Sequence, residues 1–239
     1  MGASNLENLI SDQVNAHLQG KTGLKLLEAG CGSASYFRFA NVAKSVGIDI
    51  SKEQLERNHV LHEKILGDLQ TYLLPAEEFD IVVCWDVIEH LSRPRDALLN
   101  MLNAVKPGGV LVLGFPNLLS FKGLVTKMTP HWFHVLFYRL MNYEFRPFQT
   151  YLRLAILPSR VVGFAQTNGF TPIFYRLHEG GVTRRLKQRS RLIRCLFALT
   201  DVMVRFIFFG KCNSLYLDNC ALILKRDSIQ QLASRARGD

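Results

Sequence analysis

The chain has 239 residues, 48% of them hydrophobic, and a formal charge of +9. That supports the full core of one α/β domain with insertions. Five cysteines, an odd count without regular spacing, exclude a disulfide-built scaffold and point to reduced, mostly buried thiols in a cytoplasmic protein.

The charge is uneven. From Arg176 to the end there are thirteen Lys or Arg against five Asp or Glu, a local +8. Such a concentration suits an anionic partner: a phospholipid surface, a phosphorylated substrate or nucleic acid. The first residues, Met1-Gly2-Ala3-Ser4-Asn5-Leu6, lack the basic-then-apolar pattern of a signal peptide.

Residues 5–19 read as an amphipathic helix, with Leu6, Leu9, Ile10 and Val14 at helical spacing. Strand and helix patterns then alternate from Leu24 to Leu113, which predicts a parallel sheet covered by helices. The stretch Leu26-Leu27-Glu28-Ala29-Gly30-Cys31-Gly32-Ser33-Ala34 is an apolar strand that ends in an acid and enters a glycine turn. Glycines there let backbone approach a ligand closely. A second strand with an acidic end follows, Val46-Gly47-Ile48-Asp49-Ile50-Ser51. A carboxylate so placed can accept hydrogen bonds from ribose hydroxyls.

Further along come Leu66-Gly67-Asp68-Leu69, then the apolar run Phe79 to Trp85 leading into Asp86-Val87-Ile88-Glu89-His90-Leu91. A helix is predicted over 93–105, with Ser92 as its cap and Pro94 in its first turn. Lys106-Pro107-Gly108-Gly109 then turns into another strand ending near Leu113. After it the alternation stops, and residues 118–158 form an aromatic insertion. Eight of the chain's 25 aromatic residues, from Trp132 to Tyr151, fall there. A helix resumes near Ser159 and stops at Asn168-Gly169; strands follow over Thr171–His178 and Ser214–Lys225. The segment 179–213 between them is a second insertion, basic first and apolar from Leu196 to Phe209.

Four of these blocks in this order, covering roughly residues 20 to 117, resemble the class I S-adenosylmethionine-dependent methyltransferases, in particular their small-molecule branch. A dinucleotide enzyme would want Gly-x-Gly-x-x-Gly for a pyrophosphate. Here an acid, Glu28, precedes the first glycine, and Ala34 stands where a third glycine is usual. The resemblance implies a Rossmann-like α/β fold: seven strands, mostly parallel, the last antiparallel, in a single domain over 1–239. Both insertions would leave from the active-site edge. It also implies S-adenosylmethionine as cofactor, bound by Glu28, Gly30, Cys31, Gly32, Asp49, Ile50, Asp68 and Leu69, with Trp85 and Asp86 touching both cofactor and substrate.

A hydroxyl acceptor needs a base, and histidine is the commonest choice. The candidates are His90, His131 and His134, the last two sharing a face with Tyr138 if their segment is helical. Asp86 to His90 faintly resembles a Glu-x-x-Glu-His metal motif, but Glu-His-Leu is common there in metal-free relatives, and no metal is expected. The aromatic insertion favours a bulky, apolar or lipid-linked acceptor such as a quinone-type compound. Basic residues beside an apolar helix suit an anionic membrane surface; packing on the sheet or in a homodimer is the alternative. Nucleic acid is disfavoured, because no aromatics interleave the cations before Phe197. An RNA or protein methyltransferase and a non-catalytic cofactor-binding protein remain as alternatives.

Overall fold

A computed structural model describes residues 3–120, 154–189, 191–207 and 216–228, together with positions 122, 123, 129, 132, 139, 150 and 151. Helix α1 (Ala3–His17) repeats apolar residues about every turn, and Leu6, Ile10 and Val14 are buried on one stripe, continued by Leu18. Six strands and their helices follow the order read from the sequence. These are β1 (Leu24–Ala29), β2 (Val42–Asp49), α2 (Lys52–Arg57), β3 (Glu63–Leu66), β4 (Phe79–Trp85), α3 (Pro94–Ala104), β5 (Val105–Pro116), α4 (Pro158–Thr167) and β6 (Phe170–His178). The helices α5 (Gly181–Arg189) and α6 (Arg191–Ile207) then precede β7 (Asn219–Arg226).

The seven strands form one sheet in the order β3-β2-β1-β4-β5-β7-β6. β1 pairs parallel with β2 and β4, and the pairs β2–β3 and β4–β5 are also parallel. β7 alone runs the other way, antiparallel to β5 and to β6. The expected antiparallel last strand is therefore present. β6 points the same way as β5, so its C-terminal end lies at the same sheet edge.

Burial on both faces explains why β4 is apolar from Ile81 to Trp85 and β5 from Val110 to Leu113. Along β4, Val82 and Cys84 pack with Met101 and Leu102 of α3 on one face. Ile81 and Val83 pack with Leu6, Ile10 and Val14 of α1 on the other. Truncating one of these fully buried side chains to Ala would cost about 2–5 kcal/mol.

Two local expectations are corrected. Ser92 does not cap α3; its hydroxyl donates to Gln70 Oε1 at 3.0 Å, and the same oxygen accepts the N–H of Arg93, the actual cap residue, at 2.7 Å. Pro94 at the helix start keeps the turn in place without a side-chain cap. β7 begins at Asn219, not at Ser214. Its entry is fixed by Asn117, which donates its backbone N–H to the Asp218 carbonyl and its side-chain amide to the Leu217 carbonyl.

Candidate active site

Chain order reverses between β1 and β4: β2 and β3 extend the sheet one way, β4 and β5 the other. Ligands of open α/β sheets bind in the crevice at such a switch point, beyond the strand C-termini. Glu28 near the end of β1, Asp49 at the end of β2, Trp85 at the end of β4 and Asp86 just after it all stand there.

The turn after β1 is rigid. Gly30 has φ 72°, and an added Cβ would stand 2.5 Å from Val87 Cγ2, so only glycine fits. The Gly30 and Cys31 amides both donate to the Ile48 carbonyl, at 2.8 and 3.2 Å. The Gly32 amide donates to Asp49 Oδ2 at 2.9 Å. All three are engaged inside the protein, so this turn offers none of them to a phosphate. Asp49 Oδ1 accepts the Ser51 N–H at 2.8 Å. Each Asp49 oxygen takes one backbone bond and keeps acceptor capacity for a pair of hydroxyls.

Glu28 is buried, and Ser35 donates to its Oε2 at 2.6 Å. Burial raises its pKa above the ordinary carboxylate range, against the opposing pull of Ser35 and Arg38. An approaching cation would favour its charged form. The Cys31 thiol is pushed up to about 12, by burial first and then by the charges of Asp49 and Glu28, so it stays protonated and inert. Glu28, Gly30, Cys31, Ala34, Tyr36 and Trp85 are among the residues lining a small, solvent-open pocket.

The expected residues Ile50, Asp68 and Leu69 are not among those lining this pocket. Ile50 is exposed. Asp68 accepts the backbone and side-chain N–H groups of Gln70. Leu69 turns its side chain into the main core at 4% exposure, so what it can offer a ligand is mainly backbone. His131 and His134 lie outside the described residues.

At the end of β4, Trp85 meets Phe37 edge-on with ring centroids 5.0 Å apart. Asp86 adopts φ 55°, a left-handed conformation held by its N–H bond to the Gly114 carbonyl. Its carboxyl is raised by desolvation, with Lys122 opposing. Glu89, one turn on, is 4% exposed, its Oε2 has no hydrogen-bond partner among the described residues, and its pKa rises to about 8. Burial is the main cause and the neighbouring Asp86 charge the second. His90 Nε2 sits 4.0 Å from Glu89 Oε1. Among the described residues no cluster of His, Cys, Asp and Glu is arranged to hold a metal ion.

Sequence reading missed Tyr36, Glu89 and Lys122. Tyr36 is 60% exposed at the pocket, with its hydroxyl pKa raised by desolvation and by the charges of Asp86 and Glu7. Only its position just after the glycine turn could have marked it. Both insertions return to this edge. The first leaves after β5, and Tyr151 at its far end donates its N–H to the Glu89 carbonyl at 2.9 Å. The second begins at Gly180, whose N–H donates to the buried Asp218 at 2.6 Å.

Residues 3–151 match the model of a family described as methyltransferase domain, and the chain belongs to that family. It is 38% identical over 104 residues to the mitochondrial ubiquinone biosynthesis O-methyltransferase of Schizosaccharomyces pombe, covering 38% of each protein. Over 114 residues it is 31% identical to a probable S-adenosylmethionine-dependent methyltransferase of Mycolicibacterium smegmatis, covering 45% of this chain and 44% of that one. These alignments span less than half the length of the relatives. A SAM-dependent methyltransferase from Archaeoglobus fulgidus shares the fold with a TM-score of 0.59 at 18% identity, over 94% of this chain and 95% of that one. The [4+2]-cyclase SpnF also shares it, at 0.56 and 15%, over 95% and 81%. Fold alone therefore does not fix the chemistry.

The residues present fit S-adenosylmethionine. Engaged turn amides repel nothing but offer no anion site, a buried acid faces the pocket, and a second acid retains acceptor capacity for hydroxyls. A cationic nucleoside suits that set and a pyrophosphate does not.

Proposed function

We propose that the protein transfers a methyl group from S-adenosylmethionine to an oxygen of a bulky, apolar small molecule of the quinone-precursor type. The observation that carries it is the pairing of buried Glu28 with Asp49 across a switch-point crevice whose Gly30, Cys31 and Gly32 amides are internally bonded. Similarity of the core to ubiquinone biosynthesis O-methyltransferases supports oxygen as the acceptor atom.

Bound S-adenosylmethionine supplies a methyl group already activated on a sulfonium, so the protein's work is alignment and exclusion of water. Glu28 would hold the cationic end and Asp49 the ribose hydroxyls, with Asp68 near the base. Trp85 and Tyr36 would wall the acceptor side. The acceptor's proton would go to a histidine among His90, His131 and His134. The insertions 118–158 and 179–213 would shape the acceptor entrance.

The test is incubation with S-adenosylmethionine labelled on the methyl group, in the presence of a phenolic quinone precursor with a prenyl tail. Label in the organic phase as a methyl ether is expected. Label in RNA or protein would overturn the acceptor class. Tight cofactor binding with no transfer to any acceptor would make the chain a binding protein.

A further inference from the structure

Helix α6 is tied to the rest of the described structure through Phe197 and Thr200: Phe197 packs on Tyr216 with centroids 4.2 Å apart, and the Thr200 hydroxyl bonds the Tyr216 hydroxyl. Lys187 of α5 lies over both rings, 5.4 and 5.2 Å from their centroids, and pairs with Glu179. The helix also carries Leu192, Leu196, Leu199, Val202, Met203 and Phe206, all exposed, from 53% at Leu196 to 84% at Phe206. At about 100° per residue these six occupy a stripe about 120° wide. So wide an exposed apolar stripe marks a contact surface.

Charge identifies what covers it. Residues 181–207 hold seven Lys or Arg against one acid, Asp201, a net +6. Arg191 and Arg194 are exposed in the first turn of α6, and Arg185 is exposed on α5. A second copy seated symmetrically on the stripe would bring two such segments together, which repulsion opposes. An anionic lipid surface satisfies both features: apolar side chains enter the acyl boundary while the cations meet phosphates. Among the described residues no helix is long and apolar enough to cross a membrane, so the contact is a surface one.

We propose that α6 docks the protein on an anionic membrane by its Leu192–Phe206 stripe, with the arginines at the α5–α6 junction gripping lipid phosphates. α5 begins three residues after β6, at the sheet edge that holds the crevice, and Asp218 fastens its start by accepting from Gly180 N–H and the Thr183 hydroxyl. Docking therefore brings that edge to the bilayer, where a lipophilic acceptor resides. The docking itself does not depend on the methyl-transfer reading.

The experiment is co-sedimentation of the full chain with vesicles of phosphatidylcholine alone or mixed with phosphatidylglycerol, at low and high salt. Binding is expected only to the mixed vesicles, weakened by salt. Leu199→Glu and Phe206→Glu should each weaken it about tenfold or more, and Arg191→Ala about fivefold. Cofactor affinity, measured in parallel, should stay unchanged in all three and shows that each variant is folded. Absence of vesicle binding, or binding indifferent to Leu199→Glu and Phe206→Glu, would overturn the proposal. So would a wild-type dimer in solution that these variants convert to monomer, because the stripe would then be a self-association face.

Discussion

The crevice at β1–β4 and the hairpin of α5 and α6 present their chemistry in opposite ways. In the crevice, acids are fixed by backbone: Asp49 by two amides, Asp86 by a left-handed conformation and the Gly114 carbonyl. On α6 the chemistry is carried by exposed side chains projecting from a helix tied down through Phe197 and Thr200. The family match ends at residue 151, before the hairpin begins. Ligand geometry that must be held tightly is built into turns of the common core. What contacts a broad, fluid partner can be written on a surface helix and needs only composition and a face.

That contrast can be broken experimentally. The largest effect belongs to Asp49→Ala, which removes two hydroxyl acceptors and unlatches the Gly32 amide; S-adenosylmethionine affinity by calorimetry should fall about a hundredfold or more. Unchanged affinity would show that the crevice is not organised by this residue. Next, Glu28→Gln should lower affinity about tenfold. In the wild type, affinity should fall as the solution is acidified through the raised Glu28 pKa, because the cation needs the ionised form. The Gln variant should lose that pH dependence.

Glu89 gives a sharper test of burial. Its folded pKa of about 8 lies above the reference 4.5, so folding favours the protonated form. Its stabilising contribution is complete below about 4.5, declines as pH rises, and is gone above about 8. Glu89→Gln should flatten that decline in denaturant titrations at pH 5, 7 and 9. Smaller still, Asp218→Ala should cost about 1–3 kcal/mol by stranding Gly180 and Thr183. It should reduce vesicle binding while leaving cofactor affinity within about twofold, if the hairpin is mechanically separate from the crevice.

The parts written in local pattern were legible. The β1 strand, its acid and its glycines announce a sharp turn because no other residue tolerates the Gly30 conformation. The two-sided burial of β4 shows as the apolar run from Ile81 to Trp85. The order of β6 and β7 is legible, whereas the second insertion reads as basic first and apolar from Leu196 to Phe209, not as one helix over Arg191–Ile207. What stayed hidden depends on contacts through space. Gln70 serves as the partner that Ser92 was expected to be for α3, from 22 residues away in sequence. Glu89 reads as an ordinary polar residue until the fold encloses it beside Asp86. Tyr36 gains its place only when α1, the glycine turn and β4 converge. His131 and His134, outside the described residues, remain sequence expectations.

The satisfied amides of the Gly30–Gly32 turn also bear on competition inside a cell. Phosphorylated nucleotides are abundant metabolites, and many nucleotide folds capture them through free turn amides. Here those amides are already occupied, and a buried acid, Glu28, stands two residues before Gly30. Adenosine compounds bearing phosphates would meet repulsion from Glu28 and no free amide at Gly30, Cys31 or Gly32, so the turn would discriminate by charge before shape is consulted.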